Sequence, residues 1–73
     1  MSFQSRLMYL IAWLTKVPTQ KIAYSTDLRQ DLELDDTDLA LMIFKLENYF
    51  EKELTEEQIS NVNTVHDLGR LLS

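Results

Sequence analysis

Acidic side chains concentrate in the middle of the sequence, where they could bind a metal ion or exchange protons. Asp31, Glu33 and Asp35 alternate as they do at the start of a calcium-binding loop. Such a loop also needs a glycine where Asp36 stands and a bidentate glutamate where Met42 stands. The adjacent carboxylates of Asp35 and Asp36 could act as a general acid and base, but capping of a following helix explains them without a catalytic pocket. We therefore expect neither a specific metal site nor a catalytic site here.

The other residue types that carry chemistry are few. The sequence has no cysteine, which excludes a disulfide, a thiolate nucleophile and a cysteine-ligated zinc. The single histidine, His66, belongs to no serine–histidine–carboxylate pattern and is expected to face solvent. Tyr9 and Trp13 are interpreted as core or surface filling rather than as a cage for a ligand. The sequence predicts that the protein is not an enzyme.

The length and net charge of the chain indicate how many domains it forms and what kind of partner it could bind. The chain has 73 residues and is predicted to form a single domain over residues 1–73. Its net charge is −5, and all twelve acidic residues lie at or after Asp27. Such a surface disfavours binding to nucleic-acid phosphates. It favours a protein partner with a basic docking patch.

The first predicted helix begins after Ser2 and runs to about Lys16, where Pro18 stops it. Its main apolar stripe consists of Phe3, Leu7, Leu10, Leu14 and Val17. The run Leu7–Leu14 is too short for a membrane span and lacks the cleavage site of a signal peptide, so we interpret it as part of a core helix. No membrane association is expected, and the absence of targeting signals favours a cytoplasmic location.

The second predicted helix, from about Asp36 to Lys52, is an almost unbroken apolar stretch. Asp35 or Asp36 is expected to cap it, and Asp38 follows within the first turn, at the positive end of the helix dipole. One face is formed by Leu39, Ile43, Leu46 and Phe50, at helical spacing. That face is expected to be widened by Leu41, Met42, Phe44 and Tyr49. A helix apolar on most sides is predicted to be central to the fold, to dock a partner, or both.

The segment before this helix is predicted to be a loop, and the segment after it is predicted to contain a short helix. Thr19–Gln30 shows no periodicity and is predicted to be a long loop, anchored in the core by Ile22 and Leu28. After the second helix, Thr55 to Gln58 form a capping-box pattern that begins a short helix ending near residue 60.

A last helix is predicted after Asn63 or Thr64, either of which could cap it. Its inward residues are expected to be Val65, Leu68 and Leu72. Together the elements predict an all-α fold of four helices, the third one short.

This order of elements resembles the acyl carrier protein family, and the residues from Val17 to Leu72 support the resemblance. The family has an Asp-Ser-Leu motif at the start of its second helix, preceded by Asp-Leu. Here Asp31-Leu32 and Asp35-Asp36-Thr37 stand in those places. Similar residues also occur at Val17, Ile22, Leu28, Leu46-Glu47, Phe50, Glu53-Leu54, Glu56-Glu57, Val62 and Thr64-Val65. The resemblance implies a four-helix bundle with a long loop between helices one and two.

The sequence departs from the family at the residue that carries the chemistry. In the family, the motif serine receives 4′-phosphopantetheine, whose thiol bears an acyl chain. Asp36 occupies that position and has no hydroxyl to modify, and Thr37 replaces the motif leucine. Shifting the alignment to make Thr37 the attachment residue would break the match downstream. Glu33 and Leu34 also differ from the small residues common before the motif. No bound cofactor is therefore expected.

The resemblance also implies which residues meet a partner. In the family, the residues one, four and eight places beyond the serine surround the arm and contact enzymes; here they are Thr37, Ala40 and Phe44. The acidic docking residues are predicted to be Glu33, Asp35, Asp36, Asp38 and Glu47. Phe44 is either an anchor of this interface or a residue that fills the bundle, and the sequence leaves both open.

The favoured hypothesis is a monomeric, non-carrying interaction or regulatory module linked to fatty-acid, polyketide or related carrier metabolism. One alternative is a true carrier that is a variant, or engineered, at Asp36. Another is a structural subunit of a larger synthase or secretion assembly.

Overall fold

The computed structural model describes residues 2–73, and within them the chain is all-helical apart from one isolated backbone bridge. The helices are α1 Phe3–Thr15, α2 Asp36–Phe50, α3 Glu56–Ser60 and α4 Val65–Leu72, with a short 3₁₀ turn at Thr19–Lys21. The predicted fold class, helix order and short third helix are confirmed.

A single apolar core joins all the long helices and the loop. Its fully buried side chains include Leu7 and Ile11 of α1, together with Val62 from the segment before α4. The predicted anchors and inward-facing residues are also buried: Ile22, Leu28, Leu39, Ile43, Leu46, Val65, Leu68 and Leu72. Burial of these side chains is the main source of stability for so small a domain.

α1 ends one residue earlier than predicted. Ser2 caps its start, with its hydroxyl accepting a hydrogen bond from the Ser5 N–H at 3.1 Å. At the other end Lys16 adopts a left-handed conformation, with φ of 61°, and its N–H donates to the Ala12 carbonyl. The left-handed turn at Lys16 therefore ends α1, two residues before Pro18.

α2 also ends early, at Phe50 rather than near Lys52. Glu51 takes the left-handed conformation, with φ of 57°, and its N–H donates to the Glu47 carbonyl. Glycine usually occupies such a position because it has no Cβ to strain the backbone. Neither helix end carries a glycine, and only the end of α1 is marked in the sequence, by Pro18.

The core buries only some of the apolar residues that widen the main face of α2. Met42 is buried as expected, but Leu41, Phe44 and Tyr49 are 52%, 59% and 55% exposed. The core covers only the side of α2 that contains Leu39 and Met42. The helix therefore presents large apolar side chains to solvent.

The predicted loop is held by backbone hydrogen bonds to the segment that leads into α4. The Leu28 N–H donates to the Asn63 carbonyl at 2.8 Å, and the Val65 N–H donates to the Thr26 carbonyl at 3.1 Å. These bonds form an isolated antiparallel bridge on either side of Asp27. The second half of the loop is thus fixed in place although it has no helix or strand of its own.

Both C-terminal helices begin with a capping box. In α3 the partners are Thr55 and Gln58, as predicted. In α4 they are Thr64 and Asp67, which identifies Thr64 rather than Asn63 as the cap. The backbone N–H groups of Asn63 and Thr64 both donate to the Asp67 carboxylate at 3.0 Å and lower the pKa of Asp67 below its ordinary value of 3.8.

The glycine at position 69 is explained by the packing of α4 against α1. It is buried in α4, and a Cβ added there would lie 3.2 Å from Cδ2 of Leu7. The missing side chain therefore allows α4 to approach α1 closely.

Candidate docking site at the start of the second helix

Asp35 is the residue that caps α2. Its backbone is extended, and its carboxylate accepts a hydrogen bond from the Asp38 N–H at 2.7 Å. Asp36 and Asp38 then occupy the first turn of the helix, where the free N–H groups favour negative charge. All three side chains are exposed, so the cap does not withdraw them from solvent.

Asp36 has one charged partner in the described part of the chain. Its carboxylate Oδ1 lies 3.2 Å from Nε of Arg29, and its side chain is 92% exposed. The same guanidinium donates through Nη1 to the Val62 carbonyl at 3.0 Å. Arg29 therefore connects the first residue of α2 to the segment between α3 and α4.

Two further carboxylates, those of Asp27 and Asp31, stabilise the loop that contains Arg29. Asp27 accepts hydrogen bonds from the N–H groups of Arg29 and Gln30 at 2.9 and 2.8 Å. Asp31 in turn accepts from the Asp27 N–H at 2.8 Å. Asp27 and Asp31 therefore accept hydrogen bonds within the loop and are distinct from the acids at the start of α2.

Sequence reasoning missed Arg29. Its two partners lie 7 and 33 residues away, so no local pattern could have indicated them. The only available signal was a lone basic residue inside an acidic segment.

Glu33 lies just before the cap in a left-handed conformation, with φ of 56°. This geometry is uncommon for a residue with a side chain, and the position is one where the resemblance expects a small residue. Its side chain is exposed beside those of Asp35 and Asp36. The backbone of Glu33 thus adopts the left-handed turn, and its side chain adds a negative charge there.

Ala40, Phe44 and Glu47 lie along one side of α2, at helical spacing. Ala40 is exposed, and Phe44 is 59% exposed, which makes Phe44 a surface residue and not a filler of the bundle. Glu47 is only half-buried, but its carboxylate accepts a hydrogen bond from the Leu54 N–H at 2.8 Å. Glu47 is therefore partly committed to holding the segment before α3.

The remaining candidates for chemistry lie apart from this surface. His66 is exposed, and its ring meets the edge of Tyr24 with the centroids 5.6 Å apart. Trp13 and Tyr9 are 71% and 59% exposed on α1. Within residues 2–73 no three metal-binding side chains cluster closely enough to hold an ion. None of the helices in the described part of the chain is long and apolar enough to cross a membrane.

A helical bundle with an acidic, capped start of α2 defines the class of carrier-type domains, and comparison with protein families agrees. The family described as "Phosphopantetheine attachment site" matches residues 5–72, and the chain belongs to it. The match extends through most of α1, beyond the region of resemblance noted from Val17 onward. Domains of this family carry groups for enzymes and are not themselves catalysts. No curated protein compared with the chain matches it.

Proposed function

We propose that the chain is a non-carrying member of this family, which docks a basic protein surface through the start of α2. One observation supports this above the others. Asp36 is the first residue of α2, at the position that the resemblance assigns to the attachment serine, and its carboxylate faces Arg29.

The chemistry of attachment explains why Asp36 matters. In the family a serine hydroxyl attacks phosphorus, which forms a stable phosphodiester as the phosphate bond to the rest of coenzyme A breaks. A carboxylate attacking the same phosphorus would give a mixed anhydride, which water cleaves readily.

The charge at the helix start supports docking. Glu33, Asp35, Asp36 and Asp38 are all exposed within six residues of chain, and no cation other than Arg29 pairs with them in residues 2–73. A basic surface approaching this cluster would gain mainly in association rate and orientation. The fixed charge of Asp36 would take part of the place that the phosphodiester has in a carrier.

Apolar contact would follow the electrostatic encounter. Thr37, Ala40 and Phe44 are exposed next to the carboxylates, and Phe44 is the large side chain among them. Partly exposed aromatic residues beside a charged rim are common anchors of protein interfaces. The proposed docking surface therefore consists of Glu33, Asp35, Asp36, Thr37, Asp38, Ala40, Phe44 and Glu47.

The first test is loading with the cofactor. The purified chain is incubated with coenzyme A and a phosphopantetheinyl transferase of broad specificity, and its intact mass is measured. We expect no mass increase. Asp36→Ser should load slowly, because Thr37 still departs from the motif, and Asp36→Ser/Thr37→Leu should load faster. A mass increase of one phosphopantetheine on the unaltered chain would refute the non-carrying role and favour a true carrier.

The second test addresses docking. The chain is immobilised, and proteins of its source cells that bind it are eluted with increasing salt. Glu33→Gln/Asp38→Asn should lose its partner at lower salt, since these carboxylates are exposed and are not caps. The matched control is Glu51→Gln/Glu53→Gln, which removes two exposed charges at the far end of α2. Equal loss with both variants would attribute binding to net charge and contradict the assignment of the surface.

A further inference from the structure

A second surface lies between α1 and α2 and adjoins the one just described. It is an open groove of about 720 Å³, which we call the α1/α2 groove. Its main walls are formed by Tyr9, Trp13, Leu14, Lys16, Val17 and Lys45.

The groove adjoins the acidic docking surface but does not coincide with it. Ala40 and Phe44 belong to the docking surface, whereas Leu41 and Lys45 each follow one residue later. One residue turns an α-helix by about 100°, so the second pair lies well round the helix from the first. The two surfaces meet at Asp38, which lines the hollow beside Leu41 and Lys45.

The apolar part of the groove is unusually exposed. Tyr9 and Trp13 lie one turn apart on α1, and Trp13 is 71% exposed. Leu41, which lines the adjoining hollow beside Leu14 and Lys45, is 52% exposed. Tyrosine and tryptophan are the side chains most enriched where protein interfaces gain their binding energy. These side chains stand out from the surface, which suits an extended partner segment better than an enclosed small molecule.

The charge of the groove is opposite to that of the chain as a whole. Its walls include the ammonium groups of Lys16 and Lys45 and no carboxylate. Within residues 2–73 neither ammonium lies within 4.0 Å of a carboxylate. The nearest acid on its border is Asp38, which lines the hollow at the Leu41 end. The Lys16 end is thus the cationic end, on a chain whose net charge is −5.

We propose that the α1/α2 groove docks an acidic, amphipathic segment of another protein. Apolar side chains of that segment would cover Trp13 and Tyr9, and its carboxylates would pair with Lys16 and Lys45. This goes beyond the proposed function, because the acidic surface of α2 selects a basic partner and the groove selects an acidic one.

The test uses Trp13 as its own probe, because it is the single tryptophan of the chain. A synthetic tryptophan-free helical peptide with leucines on one face, flanked by glutamates, is titrated into the chain. Its twin has lysine at each glutamate position. We expect the glutamate peptide to shift the Trp13 emission to shorter wavelength in a saturable manner, and the lysine twin to leave it unchanged.

A matched pair of variants locates the effect. Lys16→Glu/Lys45→Glu should weaken the glutamate peptide about tenfold or more, as expected for loss of two exposed ion pairs. Lys52→Glu/Arg70→Glu changes the net charge equally but alters residues outside the groove, and it should bind like the unaltered chain. Glu33→Gln should also leave peptide binding intact, which separates this proposal from the first docking surface; Asp38 is kept unaltered because it borders the groove.

Three results would overturn the proposal. One is the absence of a spectral shift with the glutamate peptide, and another is equal binding of both peptides. The third is a shift that appears in the chain alone as its concentration rises, with a dimer seen by sedimentation, which would assign the groove to a second copy of the chain.

Discussion

Replacing Arg29 with alanine is the sharpest test of how the start of α2 is held. Arg29 makes two contacts, an ion pair with the Asp36 carboxylate at 3.2 Å and a hydrogen bond to the Val62 carbonyl at 3.0 Å. Arg29→Ala removes both, whereas Asp36→Ala removes only the first. Comparing the two variants therefore separates the contributions of the two contacts.

The expected losses of stability differ because the two acceptors differ in exposure. The Asp36 side chain is 92% exposed, and ion pairs of that kind contribute about 0–1 kcal/mol. The hydrogen bond to the Val62 carbonyl is partly buried, and a hydrogen bond from a charged group contributes about 1.5–3 kcal/mol. Arg29→Ala should therefore lower the free energy of unfolding by about 2 kcal/mol and Asp36→Ala by about 0.5 kcal/mol.

Urea unfolding followed by circular dichroism measures both losses. In a domain of this size 1 kcal/mol corresponds to about 4–8 °C in Tm, so Arg29→Ala should melt clearly below Asp36→Ala. Lysine at position 29 should behave like alanine, because its single ammonium cannot donate to Asp36 and to the Val62 carbonyl in the two directions that the guanidinium allows. Equal losses for Arg29→Ala and Asp36→Ala, or no loss for either, would refute the bridging role of Arg29.

Two other substitutions have equally definite outcomes. Phe44→Ala should cost about 1–2 kcal/mol of stability, since about two-fifths of the residue is buried and full burial would cost about 3–5 kcal/mol. Binding of a partner to the acidic surface should weaken by about 2 kcal/mol, and a stability loss near the full value would exclude Phe44 from the interface. Asp67→Ala should lower the free energy of unfolding at pH 7, and because the folded-state pKa of Asp67 lies below 3.8, the difference from the unaltered chain should shrink as the pH falls below that value. A difference that stays constant in urea titrations across that range would show that the Asp67 carboxylate is not the source of the effect.

The features that sequence reasoning predicted correctly are local in origin. Leu39, Ile43 and Leu46 repeat at helical spacing, and all three are buried. The capping box at Thr55 lies within four residues of sequence, and it forms as expected. Patterns of this kind require only the geometry of one helix, so the order of elements followed from them.

The features that were missed depend on packing or on contacts distant in sequence. Phe44 could not be assigned to core or surface until the side of α2 that the core covers was known. The left-handed residues Lys16 and Glu51 end their helices without a glycine to indicate it. Arg29 reaches Val62 across 33 residues, and no window of sequence contains both. The acids at the start of α2 were thus visible in the sequence, but the pairing of Arg29 with Asp36 was not.

The backbone bridge between the loop and the segment before α4 also determines when the docking surface can form during synthesis. Thr26 and Leu28 find their hydrogen-bond partners in Val65 and Asn63. A nascent chain that has emerged only as far as α3 therefore lacks the partners that position Arg29 and the start of α2, although α1 and α2 are complete. Domains generally fold as units during synthesis, so the loop takes up this geometry only after Val65 has emerged from the ribosome. A chain cut after α3 would contain every residue of the proposed acidic surface and still lack the loop geometry that presents Arg29.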